Sequence, residues 1–204
     1  VIAYGYGKNV SLGPLDRHFM HLIKEWRNDY ATWRTCRQND LISDYAQEKW
    51  YERQAQDPSI KMYIIKAEGK PVGVCGLTSI DPWNHRAEFS LYIAPNERKH
   101  GHGRAALQTL VSHGFYTLGL NCIWGESFEG NAAQKIFQDL GFKLEGSRRA
   151  FYYREGEYLD AQLYSLLRDE WFSHAAYPNK IPLRMEDWQR FNQAGQPAYS
   201  RAVG

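Results

Sequence analysis

The sequence predicts an α+β fold from three observations: apolar residues at helical spacing in the first quarter, a switch to two-residue alternation near residue 61, and a central order of strand, helix, strand, helix, strand. A short strand around Asn9 to Leu12 leads in. Leu15, Phe19, Leu22, Ile23 and Trp26 then recur three and four apart, which turns one face of a helix apolar. The Ser43 hydroxyl is placed to cap a second helix carrying Tyr45, Trp50 and Tyr51, and Asp57-Pro58 stops it.

From Lys61 to Ala67 the chain is β-rich, Glu68-Gly69-Lys70 makes a turn, and Pro71 to Ile80 returns as the second arm of a hairpin. After the turn at Asp81-Pro82-Trp83-Asn84, Phe89, Leu91 and Ile93 alternate with Glu88, Ser90 and Tyr92 in a third strand, so an antiparallel meander is expected. A helix with the stripe Leu107, Leu110, Val111, Gly114 and Leu118 follows, closed by Gly119. Leu120 to Trp124 reads as a strand, and Ala132, Ala133, Ile136, Phe137 and Leu140 as a helix ended by Gly141 in the left-handed conformation. Phe142 to Glu145, Arg148 to Tyr153 and Tyr158 to Leu167 complete the strands. Residues 1–170 are expected to form the domain and 171–204 a C-terminal extension with no clear period.

The 204 residues carry 25 Lys+Arg against 23 Asp+Glu and are 15% aromatic, enough for a sizeable core and too balanced in charge to be drawn onto nucleic acid or an anionic membrane. No stretch is apolar enough to span a bilayer. Cys36, Cys75 and Cys122 are odd in number and lack a Cys-x-x-Cys pair, so neither a disulfide framework nor a zinc ribbon is expected. With no signal-peptide pattern visible, the cytoplasm is the expected compartment.

Between the third strand and the next helix lies Arg98-Lys99-His100-Gly101-His102-Gly103-Arg104. Its glycines let backbone N–H groups turn toward one point at a helix N-terminus, and its basic side chains add charge, which suits a pyrophosphate. Gly101-His102-Gly103-Arg104-Ala105-Ala106 also matches a dinucleotide-binding fingerprint, with Glu126 as a conceivable ribose acid. That fingerprint follows its strand almost directly, whereas residues 94–100 intervene here, so a nicotinamide cofactor is not expected.

The β-meander, Arg-x-x-Gly-x-Gly loop, helix, strand, Asn-containing loop, helix and Gly141-Phe142 together resemble the GCN5-related N-acetyltransferase (GNAT) superfamily over roughly residues 9–168. The early helical pair and the C-terminal run Gly156-Glu157-Tyr158-Leu159-Asp160 resemble its ribosomal-protein and amino-sugar branch. The resemblance implies a mixed central sheet with a splayed strand pair flanked by helices, and acetyl-CoA as co-substrate. It places the backbone of Leu91, Tyr92 and Ile93 along the pantetheine arm, Arg98, Lys99, His100, Gly101, His102, Gly103 and Arg104 at the pyrophosphate, and Asn131 and Phe137 beside the arm. The arm would enter a gap between Ile93 and Leu120.

Acetyl transfer to an amine needs a base, carbonyl polarisation and an acid for the departing thiolate. Glu88 and Glu126, at the ends of neighbouring strands, are the candidate bases. Relatives often carry Tyr where this chain has Phe137, and Gly130 stands where their Asn falls, with Asn131 one place later. The acid is therefore left among Asn131 or water, a tyrosine of Tyr152-Tyr153, with Tyr153 chosen, or no acid at all. His100-x-His102 lacks further ligands in sequence, so no metal is expected.

The expected acceptor is a primary amine of a small molecule such as an amino-sugar nucleotide, attacking directly in a ternary complex. Trp26, Trp33, Trp50, Tyr45 and Tyr51 are the core or the acceptor wall. A protein N-terminus is the alternative acceptor, and a non-catalytic acyl-CoA-binding module the alternative function. Trp171, Phe172, Trp188 and Phe191 could mediate a homodimer.

Overall fold

The computed structural model describes residues 2, 10–38 and 40–175. Its strands are β1 (Val10–Pro14), β2 (Lys61–Ala67), β3 (Lys70–Asp81), β4 (Arg86–Ile93), β5 (Cys122–Phe128), β6 (Lys143–Arg154) and β7 (Glu157–Leu167). The helices are α1 (Met20–Asn28), α2 (Tyr30–Trp33), α3 (Asp44–Gln56), α4 (His102–Ser112), α5 (Ala133–Asp139) and α6 (Arg168–Ser173). One seven-stranded sheet runs in the order β1-β2-β3-β4-β5-β7-β6. β1 to β4 pair antiparallel, β2 to β4 through short turns and β1 with β2 across the helical segment α1 to α3, and β4 and β5 are parallel because α4 carries the chain across between them.

Alternation along the strands sorts their side chains into two layers. Ile65, Cys75 and Leu77 join Leu107, Leu110, Val111 and Phe115 on one face, with Leu91 and Ile93 packed alongside. Ile64 and Val74 face Leu15, Phe19, Met20 and Ile23 on the other, with Trp26, Trp50, Tyr51, Met62 and Tyr92 against them. Glu88, at the same parity as Tyr92, therefore belongs with α1 to α3, and Phe89 with α4.

Two features position the site. β4 and β5 pair only at Arg86↔Cys122, Ala87↔Ile123 and Glu88↔Trp124, and then part. Because they are parallel, the opening lies between residues 89–93 and 125–128, so Ile93 faces the Phe128 end. The expected gap between Ile93 and Leu120 is corrected accordingly: Leu120 precedes the paired segment and is buried. Gly125 sits where pairing stops, and a Cβ there would fall 2.3 Å from the Phe89 ring, so the missing side chain is what lets that ring press against β5.

The two strands expected after Phe142 are one, β6, whose register against β7 shifts between Leu144 and Gly146 and between Arg148 and Tyr152. Those irregularities are what made it read as two segments. α4 widens into a π turn at His113–Thr117 rather than running straight to Gly119. Beyond residue 170, α6 brings Trp171 fully into the core, where its indole donates to Ser112 Oγ at 3.2 Å. The rest of the expected C-terminal extension, with Trp188 and Phe191, lies outside the described residues.

Candidate active site

The loop after β4 turns through Pro95–Glu97, takes Lys99 to φ +65° and Gly101 to φ +83°, and enters α4 at His102. Only at Ala105 does an α4 amide find its helical acceptor, Gly101 O at 3.2 Å, and no side chain caps the helix. The first-turn amides of His102, Gly103 and Arg104 are thus left for a ligand, at the positive end of the helix dipole. Lys99 and His100 are exposed beside them.

Two of the expected pyrophosphate side chains are committed elsewhere. Arg98 donates to Ile93 O (3.3 Å), Ala31 O (3.0 Å) and Thr32 Oγ1 (2.7 Å), tying α2 to the end of β4. Arg104 pairs with Asp139 of α5 at 2.9 Å. The backbone amides of the loop are thus the donors an anion would meet, and the two arginines brace the loop. Glu97, His100 and His102 bring one ligand atom each to within 4.8 Å of one another, a third partner that the sequence did not reveal. The helix end and Lys99 surround them with the charge that holds an anion rather than a cation.

Asn131 accepts the Ala133 amide at 3.0 Å and so starts α5. Phe137 lies in the core among Phe89, Phe142 and Tyr164, at centroid distances of 5.0, 6.0 and 5.5 Å. The residue is 5% exposed, so little of it reaches the surface beside which it was expected.

At the vertex of the splay stand the two carboxylates. The side chain of Glu88 is 9% exposed and that of Glu126 is 3% exposed. Arg37 joins them, with Nη2 2.6 Å from Glu88 Oε1 and Nη1 4.0 Å from Glu126 Oε1. Arg148 meets Glu126 Oε2 at 2.9 Å, and the Tyr152 hydroxyl donates to Glu126 Oε1. Both Glu126 oxygens are therefore engaged. Glu88 differs: its one ion pair among the described residues is with Arg37, at Oε1.

Burial would lower the Arg37 pKa, but Glu88 foremost, with Tyr152 and Glu126, raises it above its ordinary value. Burial and then the hydrogen bond to Glu126 push the Tyr152 phenol up to about 12. A phenol held there stays protonated and is a far weaker acid than an ordinary thiol near ~8.5, so proton transfer from it to a thiolate runs uphill. Tyr152 is suited to orienting Glu126. Tyr153, one residue on and on the other side of the strand, is 59% exposed and packs against Tyr158 at 5.2 Å.

Arg37 is the residue that sequence reasoning missed. It lies in the segment after α2, where no periodicity points, and Arg154 positions it from 117 residues away in sequence. Buried Arg154 donates to Cys36 O (2.7 Å) and Gln38 O (2.8 Å), the carbonyls on either side of Arg37. Its guanidinium also lies over the rings of Trp33 and Phe128, at 5.3 and 5.5 Å. Trp33 thus walls the site, Trp26, Trp50 and Tyr51 pack into the core, and Tyr45 is exposed. Cys75 is fully buried and its thiol pKa is raised by that burial, which suits packing rather than chemistry.

A splayed parallel pair, an uncapped helix end at its mouth and a carboxylate at its vertex define an acyl-CoA-dependent transferase. The family model described as the acetyltransferase (GNAT) domain matches residues 10–143, and the chain belongs to that family. It is a GNAT-type N-acetyltransferase that uses acetyl-CoA. The spermidine N(1)-acetyltransferase of Escherichia coli K12 is 22% identical over 86% of this chain and 95% of its own length. The L-amino acid N-acetyltransferase AaaT of the same organism is 28% identical over 55% and 71%, and the putative ribosomal N-acetyltransferase YdaF of Bacillus subtilis 31% identical over 51% and 57%. A Vibrio cholerae spermidine N-acetyltransferase solved with CoA and spermine superposes with a TM-score of 0.77 at 20% identity, over 81% of this chain and 99% of that one, which shows the same fold. Among the described residues no helix is long and apolar enough to cross a membrane.

Proposed function

We propose that the chain acetylates a primary amine of a small molecule by direct attack within a ternary complex, with Glu88 as the base. The observation that carries this is the Glu88 carboxylate at the vertex of the splay, whose one ion pair among the described residues is with the half-exposed Arg37. When Arg37 swings away, such a carboxylate can accept a proton from an incoming ammonium, directly or through one water. Arg37 keeps Glu88 in place, and Tyr152, Arg148 and Arg37 hold Glu126 beside it as a positioning group.

Acetyl-CoA, when bound, supplies the thioester. The α4 amides of His102, Gly103 and Arg104, together with Lys99 and His100, fit its pyrophosphate, and the unpaired edge of β4 from Leu91 to Ile93 fits its arm. With Tyr152 held so high and Tyr153 turned away, the thiolate leaves unaided or takes its proton from water.

The relatives named above are named for a polyamine and an L-amino acid, with YdaF a putative ribosomal enzyme, so the family's names span several amines. An amino-sugar nucleotide or similar metabolite is preferred here because the segment around the site is rich in aromatic residues, which suits a ring-bearing acceptor. Turnover of short peptides with no turnover of small amines would instead establish the protein N-terminal alternative. CoA binding without turnover of any amine would leave a non-catalytic acyl-CoA-binding module. The spermidine enzyme of Vibrio cholerae is described as dodecameric, and light scattering would test whether this chain also self-associates. The decisive test is Glu88→Gln, which should abolish turnover while acetyl-CoA still raises the thermal midpoint.

A further inference from the structure

We infer that the acceptor carries an anionic group, a carboxylate or a phosphate, close to the amine that is acetylated, and that Arg37 and Arg148 receive it. The inference rests on the acetyltransferase reading above and narrows its substrate class.

The charge around the carboxylates decides it. Glu88 and Glu126 are the acidic groups at the vertex, and each is already paired: Glu88 with Arg37, Glu126 with Arg148. The vertex is therefore neutral before any substrate arrives. A polycation entering it would have to displace guanidinium groups from both carboxylates and leave those arginines beside its own positive charges.

The wall above the vertex adds positive charge. Arg27, Arg98 and Arg154 all lie within Coulombic reach of Cys36 in the segment that carries Arg37. Arg27 donates to Gln38 Oε1, and Arg98 to two carbonyls and a threonine hydroxyl, all uncharged acceptors. Hydrogen bonds to neutral groups leave the charge in place.

Arg37 and Arg148 are the members of this set that can turn to a ligand. Their side chains are 50% and 47% exposed, and both meet the Glu126 carboxylate, Arg37 at Oε1 and Arg148 at Oε2, so one carboxylate brings the two guanidinium groups together. Each uses few of its five N–H groups on that contact, and a planar fork suits two oxygens of a carboxylate or phosphate. An anion received there sits next to Glu88 Oε1, where the amine must lose its proton.

The test is steady-state acetylation of matched acceptors, read as released thiol. Glucosamine is compared with glucosamine 6-phosphate, an amino acid amide with the free amino acid, and spermidine stands for the polycations. The anionic member of a pair should exceed its neutral partner in kcat/KM by about 10- to 100-fold. Preference within the sugar pair alone identifies phosphate as the anion, and within the amino acid pair alone, carboxylate. Arg148→Gln should collapse the ratio toward one, mainly through KM of the anionic member, and Arg148→Lys should restore part of it. Equal turnover of neutral and anionic partners, or preferred turnover of spermidine, would overturn the inference and leave the acetyltransferase reading standing. No turnover of any acceptor, with acetyl-CoA still bound, would overturn both.

Discussion

Glu88 and Glu126 have the same side-chain chemistry and different surroundings, and the surroundings assign their roles. Glu126 spends both oxygens on Tyr152, Arg148 and Arg37, whereas Glu88 is paired, among the described residues, with Arg37 alone. Removing the base should cost 10²- to 10⁴-fold in kcat, the usual contribution of a positioned proton acceptor. Glu88→Gln, nearly isosteric, should show that loss in single-turnover kinetics while the CoA dissociation constant stays within a factor of two. Loss of CoA binding in that variant would mean Glu88 supports the cleft instead.

Tyr152 makes the complementary case at the same scale. Since its phenol donates to Glu126 and is held near 12, Tyr152→Phe should lower kcat by about tenfold, the worth of one hydrogen bond to a charged group. If Tyr152 were instead the acid for the thiolate, the loss would approach that of Glu88→Gln. Comparing the two variants over pH 6 to 9 separates the roles, because an orienting phenol leaves the shape of the profile unchanged.

The elements show which parts of this site can be read from sequence. The meander, α4, α5 and the anion loop follow from alternation, helical spacing and glycine placement, since those patterns are local. Arg37 and Arg154 escape because their link is a pair of side-chain contacts to carbonyls across more than a hundred residues. Parallel pairing of β4 and β5 also reversed the expected side of the gap, which no single-strand pattern encodes. Gly101 is the loop position that the geometry demands. Nothing lies within 4 Å of a Cβ built there, so the obstacle to a side chain is its φ of +83° and not space. Gly101→Ala should cost ~1–2 kcal/mol of left-handed strain. Part of that cost should appear as backbone relaxation that misaligns the α4 amides, raising the CoA dissociation constant about fivefold in calorimetry with kcat at saturation little changed. An unchanged affinity would show that the amides hold their aim without glycine.

For the molecule as a whole, His113 links pH to stability at a distance from the chemistry. It begins the π turn after α4, is 8% exposed, and meets the Tyr63 ring edge-on with Nε2 3.3 Å from the hydroxyl. Burial, with a smaller contribution from the Lys61 charge, lowers its pKa from 6.5 to about 4. On acidification the unfolded chain takes up this proton near pH 6.5, and the folded chain only near 4. Stability is therefore complete above about pH 6.5 and falls as pH drops toward 4, by ~2 kcal/mol between pH 7 and pH 5. Glu52, Asp57, Asp81 and Glu170 have lowered pKa values and act in the same direction. Their contribution is lost only as pH falls below the ordinary carboxylate range, so pH 5 isolates the histidine. Urea unfolding at the two pH values should show the drop in the native chain and a much smaller one in His113→Gln, whose side chain is neutral at both. A drop of the same size in the variant would assign the pH dependence to another group, whatever the substitution itself does to stability at pH 7.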